Sequence, residues 1–184
     1  MVDESGQDSG HAAAYCAPCH TVGPNGNPTT ENGGYAGVAD ERYEDVQCEA
    51  CHGPGLTHVQ NPDLASTRPG ASIRIFDAAD SASLTCAECH SGAHHPFAEE
   101  WAQSKHAHVE PEIASRLVSN PSGTAACEAC HTAQGVLAAW GVTDNYKEKN
   151  DPPASHLGIT CAVCHDPHAK DHEGQLRFPI DVPD

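Results

Sequence analysis

The chain has 184 residues, with 26 Asp and Glu against 9 Lys and Arg and a formal net charge of -17; that acidity argues against nucleic acid or an anionic membrane surface as a partner. Its longest apolar run, "GVLAAWGV", is far too short to span a bilayer. With 3 Phe, 2 Trp, 4 Tyr and 38% apolar residues, side chains alone make a poor core for the single domain that this length predicts over residues 1–184.

In chain order, residues 1–10, "MVDESGQDSG", read as a flexible acidic tail. "HAAAYCAPCH" (11–20) follows, and residues 21–40 are punctuated by Gly, Pro and Asn and read as loop. "CEACH" (48–52) comes next, and residues 53–72 read as loop for the same reason. "CAECH" (86–90) leads into "HPFAEEWAQSKHAH" (95–108), where Pro96 near the start and Glu99 and Glu100 in the first turn predict a helix. Pro111 breaks that helix, and "EIASRLVS" resumes it for a turn or two. Residues 124–140, "TAACEACHTAQGVLAAW", are alanine-rich and predict helix in part, ending at Gly141. "HLGITCAVCH" (156–165) and "CHDPH" (164–168) close the patterned part of the chain. With 16 Gly and 14 Pro cutting it into short pieces, the expected fold class is mostly irregular with short α-helices and little sheet.

All 10 cysteines fall into one recurring pattern, C-x-x-C-H. The copies are Cys16, Cys19, His20; Cys48, Cys51, His52; Cys86, Cys89, His90; Cys127, Cys130, His131; and Cys161, Cys164, His165. This is the attachment site for c-type haem: the two thiols become thioethers on the porphyrin edge and the histidine becomes the proximal iron ligand. A half zinc site, a thioredoxin-like redox pair or an iron–sulfur ligand run each explains a C-x-x-C, but none requires a histidine immediately after it. Five copies that use every cysteine predict five covalently bound haem c groups and a compact multihaem cytochrome organised around them. The porphyrins supply the buried apolar surface that the side chains lack, so folding and haem attachment should be inseparable. Covalent attachment also implies export, to the periplasm or beyond the cell, and the chain reads as a mature form with its leader removed.

Of the 14 histidines five are proximal, leaving His11, His58, His94, His95, His106, His108, His156, His168 and His172. Met1 is the only methionine, so the sixth ligand, where there is one, should be histidine, which lowers the reduction potential relative to a thioether. His11 and His156 each stand five residues before the first cysteine of a haem motif, in the repeated form H-x4-C-x-x-C-H. His58 follows a Gly-Pro-Gly turn able to present its ring away from the local haem, and His106 sits on the predicted helix. His168 lies three residues after His165, a stretch of at most about 10 Å, so as a ligand it would serve a neighbouring haem. The same holds for His94 and His95 after His90. The candidate distal set is therefore His11, His58, His106, His156 and His168, with His95 as the alternative to His168. For His94, His108 and His172 the solvated or propionate-bonded reading is favoured.

These residues resemble the multihaem cytochromes related to the tetrahaem electron acceptor of hydroxylamine oxidoreductase. The likeness lies in "CAPCHTVGPNGNPTTENGGYAG" followed by "VQCEACHGPGLTH", and in "CAECHSGAHHPFAEEWAQSKHAH", a haem motif followed by a W-x2-S-x-H-A helix. The resemblance implies His58 and His106 as distal ligands. It also implies that the haem at Cys16, Cys19 and His20 can lack a protein ligand on its distal side. The chain departs from that group in having five motifs instead of four, with the helix-bearing motif after the Gly-Pro-Gly motif. In haem density it is also similar to the small subunits of extracellular cytochrome filaments, some of which complete a haem with a histidine from the next subunit.

The expected function is single-electron transfer along five closely packed haems, mostly or all bis-histidine and of low potential, in periplasmic or extracellular respiration, with no catalytic residue of its own. The expected partners are redox proteins or further copies of the chain, as a homo-oligomer or filament. The mobile tail leaves His11 able to cap a haem in its own chain or in a neighbour. The alternative is an enzyme acting on a small nitrogen or sulfur compound at one five-coordinate haem, which needs an open iron position.

Overall fold

A computed structural model describes residues 19, 46–76, 85–92 and 95–178. The described chain divides into two compact units, one running to Ser72 and including Phe76–His90, the other formed by Ile73–Ile75 and the residues from Ser91 onward. Among the described residues there is no strand, and the isolated bridge between His165 and Leu176 is antiparallel.

In the first unit, helix α1 (Cys48–His52) ends at Gly53, whose φ of 74° requires glycine and whose amide closes on Glu49 O. The Glu49 carboxylate then accepts the Gly55 amide at 2.6 Å and sets the start of α2 (Leu56–Gln60). A 3-10 turn, Ala65–Thr67, follows. Helix α3 (Cys86–Cys89) is a single turn held by a reciprocal capping box between Thr85 and Glu88. Among the described residues of this unit the buried apolar content is small: Ala50 and Ala87 are 2% and 4% exposed, and Cys89 packs on Ala50. Leu56, Val59, Leu64 and Phe76 are all exposed, an apolar surface left open by the chain itself.

The second unit begins with α4 (Phe97–Gln103), whose Glu99 accepts the Gly92 amide at 2.8 Å. Ser104 ends α4 and caps the 3-10 turn Lys105–Ala107. Helix α5 (Pro111–Ser119) has Pro111 at its first position, where the missing amide is not needed and the fixed φ suits a helix start. The sequence reading of Pro111 as a breaker is thus completed: it stops one helix and starts the next. Helices α6 (Ala125–His131) and α7 (Ala133–Ala139) split the predicted 124–140 helix at Thr132, which caps α7 by accepting the Gly135 amide. Gly141, with φ of 73°, follows as expected. Helix α8 (Cys161–Cys164) comes last.

The core of this unit is Ile73, Ala133, Val136, Leu137 and Val163, with Val142, Tyr146, Leu157, Ile159 and Ala162 packed on it. It holds α7 against α8. At Gly135 a Cβ would stand 2.2 Å from Glu128 O, so only glycine lets α7 lie this close to α6. Residues 157–160 are tied to α7 by Ala133 N to Leu157 O and by Leu157 N to Gln134 Oε1, both at 2.9 Å. Buried Glu148, 4% exposed, accepts the Ile73 amide at 3.0 Å and meets Arg74 at 3.4 Å; this pins Ile73–Ile75 to the unit.

The helices are short, four to nine residues, and the sequence expectation of irregular structure with short helices and little sheet describes them. Two details differ. The 95–108 helix stops at Gln103, because Ser104 turns its hydroxyl onto Trp101 O at 2.7 Å and competes with helix continuation. Residues 53–72, much of which reads as loop, also contain α2 and a 3-10 turn, too brief to show a period in sequence. The 21–40 loop lies outside the described residues.

Candidate haem-binding sites

Four of the five C-x-x-C-H motifs lie among the described residues, and each forms a helical turn: α1, α3, the last turn of α6, and α8. Spacing i, i+3 on a helix puts both thiols on one side, ready for the two vinyl groups of one porphyrin edge. Among the described thiols, Cys48, Cys51, Cys130 and Cys164 are exposed. From the first motif only Cys19 is described; Cys16, His20 and also His11 lie outside.

In the first unit the motifs meet. Cys19 Sγ lies 3.8 Å from Glu88 O, inside the third motif, and Cys89 of the third motif packs on Ala50 of the second. The Cys89 thiol is pushed up to about 12 by burial first, then by Cys19, Cys51 and Glu88. Burial, with Cys48 beside it, likewise raises Cys51. Sulfurs of three motifs thus share one patch.

The histidine rings show how iron would be held. His52 Nδ1 lies 2.8 Å from Pro69 O, and His165 Nδ1 lies 2.6 Å from Gly174 O. A carbonyl only accepts, so each Nδ1 carries the proton and Nε2 keeps its lone pair for a metal. His131 Nδ1 faces a carboxylate instead, Glu110 Oε2 at 3.2 Å. Such outer partners orient a ligating imidazole and raise its basicity.

The candidate distal histidines divide. His58, on α2, sets Nδ1 3.2 Å from Thr67 Oγ1. The Thr67 hydroxyl already donates to Leu64 O at 2.7 Å, so it accepts from His58, and again Nε2 is left as the donor of a lone pair. His156 is half-buried, its Nδ1 2.9 Å from Glu128 Oε2 without the alignment of a hydrogen bond, while its Nε2 lies 3.3 Å from Asp151 O. His106 is exposed on the 3-10 turn after α4. That turn is held in place: a Cβ at Gly158 would stand 2.4 Å from His106 O, and Trp101 Nε1 donates to Ile159 O at 2.7 Å. His106 is therefore mounted on the segment that leads into Cys161.

His168 is exposed and turns Nδ1 toward its own neighbour Asp166 at 3.4 Å. His95 is exposed beside the Phe97 ring, centroids 6.0 Å apart; His108 is exposed and His172 half-buried. His94 lies outside the described residues. Glu110, Glu128 and Thr67 were not singled out from sequence. They lie 21, 28 and 9 residues from the histidines they meet, and no local spacing signals them.

The residues present therefore fit haem c: paired thiols on single helical turns, imidazoles with Nδ1 spoken for, and exposed apolar side chains around the motifs. Residues 2–53, which include the first two motifs, match the family described as cytochrome c554 and c-prime. The chain is also 26% identical over 143 residues to the multiheme cytochrome MtrA of Shewanella baltica (strain OS185), an alignment covering 73% of this chain and 39% of that protein. It thus spans about two fifths of that curated relative's length. No solved structure matches. Motifs and matches together point to c-type haem attachment and make the chain similar to multihaem cytochromes of the c type. The particular kinship is similarity to the cytochrome c554 and c-prime family over the first two motifs and to multiheme cytochrome MtrA over most of the chain. No helix among the described residues is long and apolar enough to cross a membrane.

Proposed function

We propose that the chain carries five haems, at the five C-x-x-C-H motifs, and relays single electrons along them between a donor and an acceptor protein, in the periplasm or outside the cell. The observation that carries this reading is the direction of the imidazoles: His165 and His58 each commit Nδ1 to an internal acceptor and leave Nε2 for iron, and His52 likewise sets Nδ1 against Pro69 O. A protein so built works by ligation, spacing and tuning of potentials, while the haem supplies the electron chemistry. The shared sulfur patch of the first three motifs supports close packing of their haems. The match to a multiheme cytochrome agrees with an array of haems rather than a single reactive one.

His58 and His106 are the distal ligands that this reading favours; His156 joins them once its ring turns from Asp151 O, which now takes the Nε2 proton, while His168 or His95 completes a further haem and His11 the first. His11 serves its own chain or a neighbouring copy, and the second arrangement would extend the array into a filament. Because the chain is acidic, such assembly would strengthen with salt.

Electron paramagnetic resonance of the fully oxidised holoprotein tests the carrier reading. The expected spectrum contains low-spin bis-imidazole iron and no high-spin component. A stoichiometric high-spin haem that binds hydroxylamine or nitrite would overturn it in favour of an enzyme.

A further inference from the structure

We propose that Glu110 is a positioning residue that lowers the potential of the haem at Cys127, Cys130 and His131 below those of the haems at His52 and His165, with Glu128 adding to the effect. This rests on His131 being a proximal ligand, as proposed above.

The argument is a contrast inside one molecule. Among the described residues, the proximal His52 and His165 set Nδ1 against neutral carbonyls, Pro69 O and Gly174 O. His131 differs, with the carboxylate of Glu110 lying 3.2 Å from its Nδ1. The contact is an ion pair by distance and not an aligned hydrogen bond, and a negative charge this close to the ligating ring favours the ferric state, so the potential falls. Glu110 is well placed to hold this contact. It is the N-cap of α5, its backbone set by Pro111 at the next position and by the Ala114 amide on its carbonyl at 2.9 Å.

A second carboxylate belongs to the same motif. Glu128, between Cys127 and Cys130, is held by Thr124 Oγ1 at 3.3 Å and lies against His156. Its side chain is 13% exposed, against 59% for Glu110. Solvent screens Glu110 more strongly, so its effect should weaken with salt, whereas that of Glu128 should not.

The test is potentiometric titration of the holoprotein and of E110Q, an isosteric change at an exposed site, with haem content counted in each. The expected result is that one midpoint rises, the ferric preference of that haem falling about three- to tenfold, the upper figure being about 59 mV for one electron. The other midpoints stay in place. E110D restores part of the shift, high ionic strength shrinks it, and E110Q/E128Q moves the same midpoint further. In the variant lacking Cys127 and Cys130 the shifted midpoint is the missing one.

Fewer than five haems in the wild-type protein would overturn the reading of the motifs and leave Glu110 without its premise. Five haems with no midpoint moved in E110Q, or with a moved midpoint that persists when Cys127 and Cys130 are removed, would overturn the role of Glu110 alone.

Discussion

Produced without haem attachment, the chain is expected to lose more than about half of its helical circular dichroism at 222 nm and to unfold without a cooperative transition. The physical reason is the size of the described cores. In the second unit Ile73, Val136, Leu137 and Val163 are the large aliphatic side chains of the buried cluster, each worth about 1.5–3 kcal/mol on burial. In the first unit the buried cluster is Ala50 with Cys89 against it. Short helices such as α1, α3 and α8 are far below the length at which a helix persists in water. Cores this small do not offset the ordering of so much irregular backbone. A haem-free chain that retained native ellipticity and melted sharply would show that side chains alone suffice.

His58→Ala is expected to convert one haem, about one fifth of the total, from low-spin to high-spin while all five remain attached, because thioether formation needs only the proximal motif. The ring of His58 is directed by Thr67 Oγ1, which leaves Nε2 as its free nitrogen. The change is read from the high-spin component in electron paramagnetic resonance and from the Soret band of the oxidised protein. Added imidazole should return the spectrum to the low-spin form by filling the vacated position. An unchanged spectrum would mean that His58 serves Thr67 alone.

The haem-attachment motif is local and was therefore legible in sequence. Cys48, Cys51 and His52 lie within five residues, and the helical turn they form is the one their spacing implies. Short helices broken by Gly and Pro were legible for a similar reason, as at Pro111 and Gly141. The helix boundaries were less so: Ser104 ends α4 through its hydroxyl, a choice among neighbours that composition does not decide. Tertiary pairings were not legible at all. Nothing in "VEPEIAS" marks Glu110 as the partner of His131, and nothing in "STRPGA" marks Pro69 O as the acceptor for His52. Gly158 looks like any loop glycine until His106 O is found where its Cβ would be. Ligand type follows from residue counts, whereas ligand pairing depends on which distant segments pack together.

The most direct test of the central claim is the intact mass of the mature protein, measured before and after treatment with a thiol-alkylating reagent under denaturing conditions. The prediction is the polypeptide plus five haems, with no mass gained on alkylation, because all 10 cysteines are thioethers. A mass with fewer haems, accompanied by two alkylated thiols for each one missing or by bound zinc, would contradict it.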